Sequence, residues 1–205
     1  MRERPVIFNG EMVRAILDGR KTQTRRVINP QPTLSERTGF NWNGAAYGIG
    51  STYRETVRNF ANCFKVCPFG RVGDRLWVRE TFASGLCTKT TLAYRSTHKR
   101  EDLEEGWNET IKWTPSIHMP RWASRILLEI TGVRVERLND ISEEDARAEG
   151  VKAGVSPGHE HMMHQVAFSE LWQSIYGEES WRANPWVWVI EFRRVGDSAR
   201  EVERG

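Results

Sequence analysis

The sequence predicts an α+β protein, and two sets of residues carry that prediction. Residues 75–82, 126–138 and 186–192 alternate in polarity or run apolar, as strands do. Met12, Val13, Ile16 and Leu17, and later Phe168, Leu171, Trp172, Ile175 and Tyr176, recur instead at helical spacing. Residues 29–72 and 83–124 lack sustained periodicity and read as insertions into one domain over residues 1–195. The charged end, residues 196–205, is expected to be disordered.

The chain opens with an apolar run from Pro5 to Phe8, read as a strand. Asn9 is placed to cap the first helix, and Gly19 to close it in a left-handed conformation. Thr22, Thr24, Arg26 and Ile28 then alternate with Gln23, Arg25 and Val27, so in an extended chain Thr24 and Arg26 share one face. Pro30, Pro32, Gly39, Gly44, Gly48 and Gly50 punctuate the first insertion, as in a functional loop or a partly ordered segment. Within it, Cys63 and Cys67 form either half a zinc site, completed by Cys87 or His118, or a Cys67-Pro68-Phe69-Gly70 turn with a buried thiol. With no certain third ligand, the pattern predicts no zinc.

After a Gly73-Asp74 turn, Leu76, Val78, Glu80 and Phe82 face one way and Trp77, Arg79 and Thr81 the other. Glu80 thus points with the apolar set, either paired to an arginine or as part of a pocket wall. Leu92 to Arg95 reads as a short strand, and His98 to Glu109 as a solvated charged loop. Trp107, Trp113 and Trp122 stand among Lys112, Arg121 and Arg125. Rings among cations suit single-stranded nucleic acid, and they serve equally well as core or loop anchors. Ile126 to Leu138 is two strands, or one bent at Gly132.

Ser142 with Asp145 resembles a capping box, opening a helix that runs to Gly150. Glu149 falls in its last turn, where the dipole would raise a carboxylate's affinity for a proton. His159, His161 and His164 follow in what reads as a surface loop rather than a metal site. The helix over residues 168–176 is closed by Gly177. Trp186 to Phe192, apolar on both faces except at Glu191, fits a central strand.

Composition narrows the classes of function. A net charge of +3 on 205 residues is too weak for a protein that coats DNA unaided. The charge is nevertheless polarised: residues 1–30 carry seven Lys/Arg against three Asp/Glu, and residues 138–149 five acids against Arg147. Three cysteines give no disulfide framework, and no signal peptide or long apolar run is visible, so a soluble protein of the reducing cytoplasm is expected, without a membrane partner.

The most informative stretch is Gly19-Arg20-Lys21-Thr22-Gln23-Thr24-Arg25-Arg26. With Lys21 reaching in from the turn beside Thr24 and Arg26, an ammonium, a hydroxyl and a guanidinium would converge where an anion or a nucleobase is handled. The same cations after a helix also complement its dipole.

The spacing Gly-x-Lys-x-x-Thr-x-Arg resembles the signature of the ASCH domain family, which has a PUA-like mixed β-barrel associated with RNA. Cys67-Pro68-Phe69-Gly70, Gly73-Asp74-Arg75-Leu76-Trp77-Val78-Arg79-Glu80 and Pro120-Arg121-Trp122-Ala123-Ser124-Arg125 are similar to segments of ASCH proteins from phages and prophages. The resemblance follows the whole chain and implies that barrel, with flanking short helices and two long insertions. One branch of the family hydrolyses N4-acetylcytidine, and by resemblance its catalytic lysine, threonine and glutamate fall on Lys21, Thr24 and Glu149. Thr24 would then attack the acyl carbon, Lys21 would assist its deprotonation or steady the oxyanion, and Glu149 would carry the proton to the leaving amine.

On this expectation Arg26, Glu80 and Trp77 bind substrate, and Arg25, Arg121, Trp122 and Arg125 contact nucleic acid. The partner is a modified nucleoside, RNA or another single-stranded nucleic acid, with no cofactor and no metal. The competing expectation is a non-catalytic RNA- or single-stranded-DNA-binding module that uses the same pocket to read a base.

Overall fold

The computed structural model describes residues 1–62, 67–84, 92–98, 111–153 and 163–196. The first half contains β1 (Glu3–Ile7), α1 (Gly10–Leu17), β2 (Gln23–Val27), β3 (Thr33–Ser35), β4 (Gly39–Trp42), β5 (Ala45–Ala46) and α2 (Tyr53–Ala61). The second contains β6 (Arg75–Arg79), β7 (Phe82–Ser84), β8 (Leu92–Tyr94), β9 (Leu127–Arg137), α3 (Glu143–Ala148), α4 (Met163–Tyr176), α5 (Glu178–Arg182) and β10 (Trp186–Arg194). The fold is α+β. Its main sheet runs β1-β6-β9-β10-β2, with β1 parallel to β6 and the other pairs antiparallel.

Strand β10 organises the packing because both its faces are buried. Trp186, Trp188, Ile190 and Phe192 face the larger core with Phe8, Val13, Ile16, Leu76, Val78 and Leu128. Val187 and Val189 face a second core with Ala146, Phe168 and Trp172, which belongs to α3 and α4. The two-sided apolar run read as a central strand does lie between β9 and β2. At Glu191 its register against β9 shifts: Glu191 pairs with Gly132 and Phe192 with Ile130. That bulge makes residues 127–137 one bent strand rather than two. At Gly132 a Cβ would sit 2.5 Å from a Glu191 carboxylate oxygen, so any larger residue there would make the Glu191 side chain shift.

Asp74 explains why β1 runs beside β6. Its carboxylate accepts from the Arg2 backbone N–H (2.8 Å) and the Arg4 guanidinium (3.0 Å), tying the start of the chain to the turn before β6. β1 and β2 are the two edges of the sheet, and no ladder joins them, so among the described residues the sheet is not a closed barrel. The edges nevertheless come together. The Arg26 guanidinium donates to the Ile7 carbonyl at 2.7 Å and lies 5.4 Å from the Phe8 ring centre, which requires the sheet to curl.

The first insertion is ordered where it is described. β3, β4 and β5 form a small antiparallel sheet, and α2 follows. Phe40 and Phe60 from this insertion are fully buried in the larger core, with ring centres 4.7 Å apart. The second insertion begins with the β7–β8 pair and packs Met119 and Ala123 against Phe82. Helix α4 is described from Met163, earlier than the periodicity indicated, so His164 lies on a helix and not in the expected loop, and Gly177 leads directly into α5. No helix among the described residues is long and apolar enough to cross a membrane.

Candidate functional site

Local backbone geometry brings Lys21 to Glu149. Helix α1 ends at Gly19 (φ 75°), and the N–H groups of Arg20 and Lys21 both donate to the Ala15 carbonyl, at 2.8 and 3.0 Å, which turns the chain sharply. Thr22 N–H then donates to Ala148 O and Phe192 N–H to Thr22 O, each at 2.8 Å. The segment is thereby clipped between the end of α3 and β10, and Lys21 forms an isolated antiparallel bridge with Glu149. Helix α3 is capped by the Ser142 hydroxyl, which accepts from Asp145 N–H at 3.1 Å, and Glu149 closes it before Gly150 reverses the chain at φ 84°.

The Lys21 ammonium donates to Glu149 Oε2 at 2.7 Å and to the Glu149 carbonyl at 3.0 Å. Both side chains are buried, at 0% and 3% exposure. The other carboxylate oxygen, Oε1, accepts from Arg25 Nη1 at 3.0 Å. Arg25 in turn holds Glu136, through both Nε and Nη2, and Asp145 at 3.3 Å. Arg134 binds the same two carboxylates and also Glu191. Burial pushes the Lys21 ammonium below its ordinary range. Glu149 opposes that shift through its charge and hydrogen bond, and the Arg26 and Arg25 cations reinforce it.

Thr24 is the second residue of β2, buried, opposite Ile190. Strand alternation puts it on the Arg26 face and away from Arg25. Among the described residues no hydrogen bond joins its hydroxyl to Lys21 or Glu149. The Phe8 ring stands between two cations, with Lys21 Nζ 5.6 Å and the Arg26 guanidinium 5.4 Å from its centre. Arg26 Nε is buried there without a hydrogen-bond partner.

The remaining candidates are elsewhere. Arg25, expected at a nucleic-acid surface, has no exposed side-chain area, and its guanidinium is taken up by carboxylates, so it cannot meet a phosphate. Glu80 is buried and held by Arg125 through two hydrogen bonds of 2.9 and 3.1 Å and by the Ser96 hydroxyl. Arg125 also reaches Thr97 and lies 3.9 Å from the Tyr94 ring centre, so it closes the base of the second insertion. Trp77 sits half-buried on the sheet face opposite Leu76 and Val78, with Arg79 over its ring at 5.5 Å. Arg121 pairs with Glu3 at 2.7 Å, and Trp122 beside it is 69% exposed.

His164 Nδ1 lies 2.6 Å from Glu143, whose carboxylate also accepts the first N–H groups of α4. Burial pushes the Cys67 thiol above its ordinary value. Cys63, Cys87, Trp107, His159, His161 and residues 197–205 lie outside the described residues. Among the described residues, no group of three His, Cys, Asp or Glu is placed to hold a metal ion.

A cleft of 520 Å³ opens between α1 and α4, with Glu149 and Gly150 in its floor and Arg14, Arg20, Lys152 and Glu170 on its walls. Neither Lys21, Thr24 nor Arg26 lines that cleft. Sequence reasoning missed Phe8, Arg25, Glu136 and Asp145 as neighbours of the Lys21–Glu149 pair. The alternation of Gln23, Arg25 and Val27 was a usable signal for Arg25, because it assigned that side chain to the face that α3 covers.

Compared with family models, with curated proteins and with solved structures, the chain matches none.

Proposed function

We propose that this chain is an ASCH-type protein of PUA-like architecture that hydrolyses the N4-acyl amide of a cytidine-like nucleoside. The observation that carries the proposal is the buried Lys21–Glu149 pair, which joins the lysine of the Gly-x-Lys-x-x-Thr-x-Arg motif to the glutamate that the resemblance pairs with it. The curled mixed sheet, with its edges meeting at Arg26 and Ile7, supports the architecture.

In this reaction Lys21, its proton affinity lowered by burial, first cedes a proton to Glu149, and the free amine then takes the Thr24 hydroxyl proton as Oγ attacks the acyl carbon. Glu149, hydrogen-bonded to Lys21, passes a proton to N4 as the C–N bond breaks. Cytidine leaves with its amine restored, and water then cleaves the threonyl ester to the free acid. Arg26, the arginine of the motif, is suited to orient the substrate by hydrogen bonds from its planar guanidinium. Incubation of the protein with a panel of N4-acylated cytidines, followed by mass spectrometry, tests this: cytidine and the free acid are the expected products.

One observation favours a second reading, a nucleic-acid-binding module. Trp122 projects into solvent next to Arg121, as a base-stacking side chain beside a phosphate partner would. In that case Thr24→Ala keeps its affinity for RNA, and no acylated nucleoside is consumed.

A further inference from the structure

Arg25 belongs to the motif region but not to the residues given a part in catalysis, and its surroundings are closely constrained. Its side chain is fully buried, and three carboxylates, those of Glu136, Asp145 and Glu149, converge on it. Its donors are divided by direction. Nη1 takes Glu149 Oε1 at 3.0 Å, while Nε at 3.0 Å and Nη2 both take Glu136 Oε1. The anchors are themselves held: Arg134 binds Glu136 and Asp145, and the Gln23 side chain donates to the Asp145 carbonyl at 2.7 Å. A carboxylate held by one oxygen alone can still rotate about its terminal bond. With Oε1 taken by Arg25, Glu149 presents Oε2 to Lys21 in one orientation.

We propose that Arg25 is the positioning residue of the Lys21–Glu149 pair, gripping one oxygen of the Glu149 carboxylate from the Glu136–Asp145 side so that the other faces the Lys21 ammonium. This rests on the hydrolase reading only for its effect on rate; the placement of Lys21 can be measured without any substrate. A planar fork is needed, because the two directions that Arg25 serves are beyond the single point charge of a lysine. A purely structural ion pair would cost stability when broken and leave Lys21 as it was.

The test compares wild type with Arg25→Gln and Arg25→Lys, reading the Lys21 ammonium by NMR, with Lys21→Arg to assign its signal. The Arg25 cation contributes to the lowering of the Lys21 proton affinity, so Arg25→Gln should move the Lys21 titration upward. Arg25→Lys keeps the charge and loses the fork, and should lose the protection of the ammonium protons from solvent exchange. On N4-acetylcytidine both variants should lose kcat by about 100-fold, the scale of a misplacement near 1 Å, with KM little changed. Folded variants in which Lys21 titrates and exchanges as in wild type overturn the proposal. If Arg25→Gln does not fold, Arg25→Lys decides it through exchange. If wild type hydrolyses nothing, the hydrolase reading fails, and the two NMR readings alone decide the role of Arg25.

Discussion

The Lys21 ammonium and the Glu149 carboxylate meet at 2.7 Å inside the protein although 128 positions separate them in the chain. The pair is asymmetric: Glu149 serves two buried cations, Lys21 and Arg25, whereas Lys21 has Glu149 as its only carboxylate partner among the described residues.

Breaking the pair from its two ends should therefore cost different amounts. Glu149→Leu strands the buried Lys21 ammonium and takes one of three carboxylates from Arg25, and should destabilise by about 3–5 kcal/mol, the scale of a broken buried ion pair. Lys21→Met leaves Glu149 with Arg25 and should cost less. Urea midpoints of the two variants check the order, and equal losses would contradict the asymmetry.

Gly150 should tolerate no side chain. Its φ of 84° is left-handed, and a Cβ would fall 2.7 Å from Lys21 Cβ and 2.9 Å from Ala15 Cβ. Gly150→Ala should cost on the order of 2–3 kcal/mol from strain and overpacking, measured by denaturant unfolding. It should also displace Lys21, so any activity should fall together with stability.

Acid should unfold the protein through a few identified carboxylates. Burial works upward at Asp74, Glu143 and Asp145, but it is outweighed: by Arg2 N–H, the Arg4 guanidinium and Arg71 N–H at Asp74, by the N–H groups of His164 and Gln165 at Glu143, and by Arg134 and Arg25 at Asp145. All three are held below their ordinary values. A carboxyl whose folded value is depressed contributes stability that is present above its unfolded value, about 4, and is lost as pH falls through the folded one. Stability should thus decline below about pH 4. Asp74→Asn should be less stable near neutrality and show a shallower acid slope, checked by thermal melts across pH.

Glu80→Gln should act on stability and leave turnover nearly unchanged. It removes the charge that Arg125 grips at the base of the second insertion, and Arg125 at 28% exposure is still partly hydrated. The expected cost is about 1–3 kcal/mol, below that of a fully buried pair. Unchanged melting together with lost activity would place Glu80 in the substrate pocket instead.

Much of the fold was legible because its main elements are long enough to show a period. The two-sided apolar run of β10 and the Asn9 and Ser142 caps correspond to what is observed. The small sheet of the first insertion was not visible, since strands of two to four residues are too short to alternate detectably. The pairing of β1 with β6 depends on Asp74 reaching Arg2 and Arg4 about 70 positions away, which no local pattern encodes. Arg25 illustrates the main limit. Alternation assigns its face, but that face is buried only because α3 and α4 pack there, so a residue that looks like a surface cation becomes the centre of a buried network.

The most direct measurement is turnover of N4-acetylcytidine by wild type, Thr24→Ala, Lys21→Ala, Glu149→Gln and their double variants, following cytidine and acetate by mass spectrometry. Residues that serve one step are not additive, so each single substitution should cost about 100-fold or more and the doubles little beyond that. Wild-type protein that binds RNA yet leaves acetylated cytidine intact would contradict the hydrolase account, and so would a Thr24→Ala variant that turns over at the wild-type rate.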